Sequence, residues 1–259
     1  MKLSAKFIYF FGALGGLLFG FDTGVISGAI EFYEQVYVID AFQKGCIVSG
    51  VLFGAVIGSM TIGPLSDNFG RRKLILLSGL IFFGGSLLCA FSMSYVFLIL
   101  SRVILGLAVG AASSLIPTYL SELAPSEKRG KIAGLFQFMV IFGIFAAYVS
   151  NYYLSDLPVQ ISWRFMLGVA VVPAALLIIG AIFMPESPRF LIKVGKIDEA
   201  RKVMNTTNGG DEARTENNII EIQALLKDRK ASFKDLLSPY VRPAVVAGAG
   251  LAIFEQFMG

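Results

Sequence analysis

Residues 7–30 read FIYFFGALGGLLFGFDTGVISGAI. The run has the length of an apolar helix that crosses a bilayer. Within it Gly12, Gly16, Gly20, Gly24 and Gly28 recur at every fourth position. That spacing makes one bare stripe, against which a second helix packs backbone to backbone. One acid, Asp22, stands well inside the run. A carboxylate in hydrocarbon is expensive, so it points to function and requires a partner. Phe19, Asp22 and Ile26 share a face at helical spacing. Phe7–Ile30 is therefore read as the first of several membrane spans.

Composition agrees. Of 259 residues 56% are hydrophobic and only 15% charged, where a soluble domain carries about 25% charged residues. The fold class is all-α integral membrane. The chain has no histidine, which excludes His-ligated metals and Ser-His or Cys-His catalysis. Cys46 and Cys89 lie in apolar runs and read as packing residues rather than a disulfide. Lys2 and Lys6 ahead of the first run would suit a signal peptide. The run is too long for one, carries Asp22 and lacks a small-residue cleavage site, so it reads as a retained span.

Five more spans are expected at Cys46–Leu65, Leu74–Phe91, Tyr95–Thr118, Ile132–Leu154 and Phe165–Met184. A polar segment runs from Pro185 to Arg242, and an apolar stretch from Pro243 to Gly259. This divides the chain into a six-helix lobe (1–184), a helical linker (185–242) and the start of a seventh span (243–259). With the N-terminus inside, the cytoplasmic side receives Lys2, Lys6, Arg71, Arg72, Lys73, Lys128, Arg129, Lys131 and the basic residues from Arg189 to Arg242. The other side receives only Lys44 and Arg164. The positive-inside rule then places the N-terminus in the cytoplasm of a multi-pass cell-membrane protein. In the linker, Ile197, Ala200, Val203 and Met204 show helical spacing, as do Ile219, Ile222, Leu225 and Leu226. The breaker-rich turn NTTNGGDEA (205–213) separates them. Ser232 with Asp235 reads as a capping box for a third short helix.

Charges gather at the cytoplasmic span ends. Gly63 and Asp67 stand one turn apart before Gly70-Arg71-Arg72. Gly63 is expected to allow close packing, and Asp67 to pair with arginines across the turn that Gly70 permits. The fourth span leads into PTYLSELAP (117–125) and then Arg129-Gly130, and the sixth into PESPR (185–189). Glu122, Arg129, Glu186, Arg189, Asp67, Arg71 and Arg72 are thus candidates for one ion-pair network.

In the membrane, Arg102 is the candidate partner of Asp22. It shares a stripe with Gly106, Gly110 and Ser114, which is expected to pack on the glycine face of the first span. An Asp–Arg pair suits proton coupling, because the guanidinium stays charged while the carboxyl gains or loses a proton. A static pair that fixes packing is the alternative. Gln137 in the fifth span either bridges helices or binds a hydroxylated ligand, since an amide both donates and accepts. Phe19 and Phe21 are candidate aromatics for a ligand ring, and Asn151 and Trp163 read as residues of the outer interface.

The GxxxDxxGRR spacing between two apolar spans resembles the major facilitator superfamily. The PTYLSELAP–RG, PESPR and GGLLFGFD (15–22) runs narrow the resemblance to its sugar porter family. The resemblance implies a monosaccharide–proton symporter working by alternating access, with a hexose or pentose as substrate. It also implies that this chain is the N-terminal six-helix lobe with the beginning of helix 7, a fragment needing a missing C-terminal lobe. Under it Asp22 and Arg102 couple the proton, and the charge network latches the outward-facing state. Gln137 and the pair Glu255-Gln256 meet the sugar, with Phe19 the candidate aromatic for its ring; the family typically has two glutamines where Glu255-Gln256 stand. Alternatives are a facilitative sugar or polyol carrier and a non-transporting membrane sensor. Neither enzyme activity nor a cofactor, metal or nucleic-acid partner is expected.

Overall fold

A computed structural model of the chain describes residues 5–227 and 238–258, apart from the side chains at 6, 126, 252, 255, 256 and 258. The expected capping box at Ser232 lies outside the described residues. Every regular element described is a helix. The membrane-length helices are α1 (Ala5–Val36), α2 (Ala41–Phe69), α3 (Arg71–Ala90), α4 (Tyr95–Leu123) and α5 (Arg129–Leu154). The sixth span is made of α6 (Val159–Val169) and α7 (Val171–Phe183). Shorter helices follow: α8 (Pro188–Lys193), α9 (Ile197–Thr207) and α10 (Glu212–Lys227), then α11 (Arg242–Met258).

Several boundaries move outward from their expected places, for local reasons. α2 begins at Ala41 because Asp40 caps it. The Gln43 amide donates to Asp40 Oδ1 at 2.7 Å, and the Asp40 amide donates to Gln43 Oε1 at 3.1 Å, a reciprocal capping box. The sixth span breaks at Ala170. Pro173 has no N–H to give the carbonyl four residues back, and its ring crowds that turn. α8 was not expected from apolar spacing; Ser187 caps it and Pro188 opens it.

The chain forms two compact units, Met1–Ile219 and Ile220–Gly259. In the first, two pairs of parallel helices are zipped by small residues. Along α1, added methyl groups at Gly16, Gly20 and Gly24 would strike Phe136 O, Val140 O and Ala147 Cβ of α5, and Gly143 of α5 meets Leu17 of α1 in return. In α2, Gly54 and Gly58 meet Val103 and Leu107 of α4, while Gly106 and Gly110 of α4 meet Val51 and Ala55 of α2. This corrects the expectation that the α4 stripe packs on the glycine face of α1. Each stripe needs a backbone to lean on along its whole length. α5 supplies it for α1 from Gly16 to Gly28 and α2 for α4, so α1 meets α4 at Gly12 and Gly15, against Leu120 and Ile116, and at the Asp22–Arg102 pair.

Two further expectations change. Asn151 is buried, not an interface residue. Its Nδ2 donates to Gly24 O and Val25 O of α1, both at 3.3 Å, in space left by the missing side chain of Gly28. Trp163 is wholly buried between α1 residues and its neighbour Arg164. Gly28→Ala is expected to push Asn151 off both carbonyls and cost about 1–2 kcal/mol, read as an earlier unfolding transition in a denaturing-detergent titration.

After the sixth span, α9 and α10 pack as an amphipathic pair. Arg201 bridges to Glu216 at 3.1 Å, and Asn208 Nδ2 donates to Thr215 Oγ1 at 3.1 Å. Arg214 ties α10 to Glu127 in the turn before α5, at 2.6 Å. In the second unit, α11 is an apolar helix with Pro243 in its first turn, where the missing N–H is free of cost.

Candidate functional site

Asp22 and Arg102 meet inside the lobe. Arg102 Nη1 donates to Asp22 Oδ1 at 2.8 Å, and the side chains are 2% and 4% exposed. α1 brings the acid and α4 the base. Gly50 of α2 lies against the Arg102 stem. The contact is a single hydrogen bond rather than a fork. Among the described residues Arg102 Nε finds no acceptor. A buried ion pair with one of its donors unmet recovers little of its desolvation cost. Such a pair is readily opened when the carboxyl is neutralised.

Around it the expected sugar contacts separate. Phe19 is half-buried on α1, one turn before the acid, and packs on the edge of the core. Phe21 is 5% exposed and belongs to the core beside Gly143, so it is removed from the candidates. Gln137 is exposed on α5 and makes no hydrogen bond among the described residues. It follows Phe136, whose carbonyl meets Gly16 of α1, so it lies at the edge of that seam. Helix bridging by Gln137 is not seen within this lobe. Glu255 and Gln256 fall on α11, and their side chains lie outside the described residues.

At the end of the lobe where α2 turns into α3, the charge network is present but differs in membership. Gly70 turns the chain with φ of +93°, a conformation that favours glycine. Any side chain there would also strike Glu186 and Phe190. Arg71 is buried and nearly saturated. Its Nε and Nη2 grip Glu122 at 3.1 and 3.2 Å, Nη2 also reaches Asp67 at 2.8 Å, and Nη1 donates to Ser66 O at 2.9 Å. Glu186 works on backbone instead. Its Oε1 accepts from the amides of Arg71 (2.8 Å), Arg72 (3.1 Å) and Ser187 (2.9 Å). That places a carboxylate on the orphan N–H groups at the start of α3, where helix polarity favours it. Arg72 does the converse at the end of α7, donating to Ala181 O at 3.1 Å and to Ile182 O.

Arg129 and Arg189 do not join. Both are exposed, and among the described residues neither forms an ion pair. Arg129 opens α5 and Arg189 sits in the first turn of α8, where each can point into solvent. Gly63 has open space where packing was expected. In their place stand neutral groups that charge-based reading passes over. Ser187 Oγ donates to Glu122, and Tyr119 Oη donates to Pro185 O at 2.7 Å. Their positions inside PTYLSELAP and PESPR are the only sequence signal for them.

Comparison with known proteins follows the same lines. The model of the family described as "Sugar (and other) transporter" matches residues 8–259. The D-xylose transporter of Levilactobacillus brevis is 55% identical over all of this chain and 56% of its own length. The galactose-proton symporter of Escherichia coli (strain K12) is 40% identical over all of this chain and 55% of its own. The chain thus spans about half the length of these relatives. The xylose transporter XylE from E. coli, in a partially occluded inward-open conformation, superposes with a TM-score of 0.86 at 30% identity. That match covers 99% of this chain and 64% of XylE.

Proposed function

We propose a function on the premise that this chain belongs to the sugar transporter family of the major facilitator superfamily: it is the N-terminal lobe of a proton-coupled monosaccharide symporter. The observation that carries the proposal is the buried Asp22–Arg102 pair, 2.8 Å apart in the lobe interior. Protonation of Asp22 cancels the attraction, and Arg102, which keeps its charge, must then find other acceptors. Its unmet Nε already makes the closed arrangement incomplete. Loosening there reaches α1 and α4, and through the glycine seams α5 and α2.

A second lobe closes the site between the two halves, as alternating access requires. Gln137 is the sugar-binding amide from this lobe, and its exposure without an internal partner supports that role. Phe19 offers an apolar edge near the same helix seam, and Glu255 and Gln256 are the further residues assigned to the sugar. The network of Asp67, Gly70, Arg71, Arg72, Glu122 and Glu186 holds the outward-facing state. Arg129 and Arg189, without an ion pair among the described residues, bond across to the second lobe, and the open face at Gly63 lets that lobe pack closely. The basic residues support a cytoplasmic position for that end of a cell-membrane protein. The galactose-proton symporter among the relatives supports the coupling, and the D-xylose transporter supports a pentose or hexose as cargo.

The test is sugar-induced alkalinisation of the medium by cells or vesicles carrying the whole transporter. Xylose, glucose or galactose added outside is expected to draw protons in; sugar uptake with no proton movement overturns the coupling. Gln137→Ala is expected to weaken sugar affinity about tenfold, as loss of one or two hydrogen bonds predicts. Unchanged affinity in a binding titration removes Gln137 from the site.

A further inference from the structure

At the opposite end of the lobe from the charge network, four residues form a closed box. Tyr33 stacks on Tyr37 with ring centroids 4.7 Å apart. Trp163 stands edge-on to both, at 4.9 and 6.0 Å. The Arg164 guanidinium lies 4.2 Å over the Trp163 ring. Tyr33 is 1% exposed and Trp163 0%. The box joins α1 to α6, and Arg164 Nη1 extends it to the end of α3 by donating to Ala90 O at 2.9 Å.

The hydrogen-bond inventory of the box is one-sided. Among the described residues neither Tyr33 Oη nor Trp163 Nε1 has a partner, although both are buried. Indole N–H is a donor only. Tyr37 Oη accepts from Arg164 Nη2 at 3.4 Å, which leaves its proton to donate. Arg164 itself is bonded to neutral oxygens, and no carboxylate among the described residues pairs with it. The nearest acid on the same stretch of α1, Glu34, is taken by Lys44 at 2.7 Å. Two buried donors without a partner thus belong to the same aromatic cluster as a guanidinium that is bonded only to neutral oxygens. A buried donor without a partner costs about 1–3 kcal/mol, so two of them, fully buried, call for an acceptor.

We propose that the Tyr33–Tyr37–Trp163–Arg164 box binds a small monovalent anion of the halide class. The anion accepts hydrogen bonds from Tyr33 Oη and Trp163 Nε1 and balances Arg164. It fastens the end of α1 to the start of α6 and, through Ala90, to the end of α3. The site does not depend on the coupling assigned to Asp22.

Trp163 is the sole tryptophan of these 259 residues, so in the whole transporter with any tryptophan outside them replaced by phenylalanine its fluorescence reports on the box. Bromide quenches indole on contact, and gluconate holds ionic strength constant. For the full chain in lipid nanodiscs, quenching by bromide is expected to saturate and to be relieved by chloride. Tyr33→Phe removes one donor and is expected to raise the half-saturating bromide concentration about tenfold, the usual scale for a hydrogen bond to a charged group. Arg164→Gln is expected to abolish saturation. Quenching by the unaltered chain that stays linear in bromide, or is indifferent to chloride, overturns the proposal and leaves a buried water as the acceptor. Saturation that survives both substitutions overturns the assignment to this box.

Discussion

Asp22→Asn in the whole transporter is expected to abolish accumulation of sugar against its gradient, while exchange of sugar down its gradient is expected to continue. The reason lies in what the substitution keeps. Asparagine fills nearly the same volume between α1 and α4, so the seams Gly16–Phe136 and Gly106–Val51 are undisturbed. It still offers an oxygen to Arg102 Nη1, which donates to Asp22 at 2.8 Å. What is lost is the group that changes charge, and with it any dependence of the helix arrangement on protonation. Accumulation is measured with labelled sugar under an imposed proton gradient, and exchange by counterflow in the same vesicles. If accumulation survives, the pair is structural and coupling lies elsewhere. Arg102→Leu is the harsher change. It leaves Asp22 buried at 4% exposure with no counter-charge, and removing one member of a buried pair costs about 3–5 kcal/mol. Combining it with Asp22→Asn removes that orphaned charge. The double variant is therefore expected to be more stable than Arg102→Leu alone and equally unable to accumulate sugar.

How much of this was legible in the sequence follows from which signals are local. Span number and order could be read from hydropathy alone, and Arg102 stood out as the partner of Asp22 because a buried acid needs a base. Which stripe met which was not legible. The stripe from Gly12 to Gly28 and the stripe from Arg102 to Ser114 have the same spacing, and four-residue spacing says that a helix packs closely without saying on what. The pairing came from tertiary arrangement: α5 runs parallel to α1, and α2 parallel to α4. Asn151 and Trp163 were misplaced for a related reason. Amphipathic side chains near span ends suit the interface by type, but Gly28 opens a slot for Asn151, and Tyr33 and Arg164 cover Trp163. In the charge network, sequence found the charges and missed the neutral partners. Ser187, Tyr119 and the carbonyls of Ala181 and Ile182 carry no charge pattern, yet Ser187 bonds Glu122, Tyr119 bonds Pro185 O and the two carbonyls engage Arg72, while Arg129 and Arg189 remain at the surface.

Arg71 is the member of that network whose loss is expected to cost most. Its side chain is 7% exposed, Glu122 is 8% exposed, and four hydrogen bonds converge on one guanidinium. Arg71→Leu leaves Glu122 charged and buried, with the Ser187 hydroxyl as its remaining partner among the described residues. The expected loss in stability is about 3–5 kcal/mol, seen as a lower detergent or thermal midpoint. Arg71→Lys is expected to recover only part of it, because an ammonium cannot span Glu122, Asp67 and Ser66 O from one planar fork. Adding Glu122→Gln to Arg71→Leu removes the orphaned charge, so the double variant is expected to be more stable than Arg71→Leu alone. Asp67→Asn gives a contrast, since Asp67 is 55% exposed and its pair lies in solvent, where such bridges contribute about 1 kcal/mol or less. If Asp67→Asn destabilises the lobe as much as Arg71→Leu, burial is not what makes this network strong. If instead the ranking holds, the functional consequence follows from position. Arg71 ties the end of α2 to α4, and Glu186 ties the start of α3 to α8. Weakening Arg71 then loosens the joint between α2 and α4 without touching the Asp22–Arg102 pair. Arg71→Leu is therefore expected to shift the transporter toward its inward-facing state, measured as greater labelling of a cysteine placed on the cytoplasmic side of the cavity, while its sugar-induced proton uptake stays coupled.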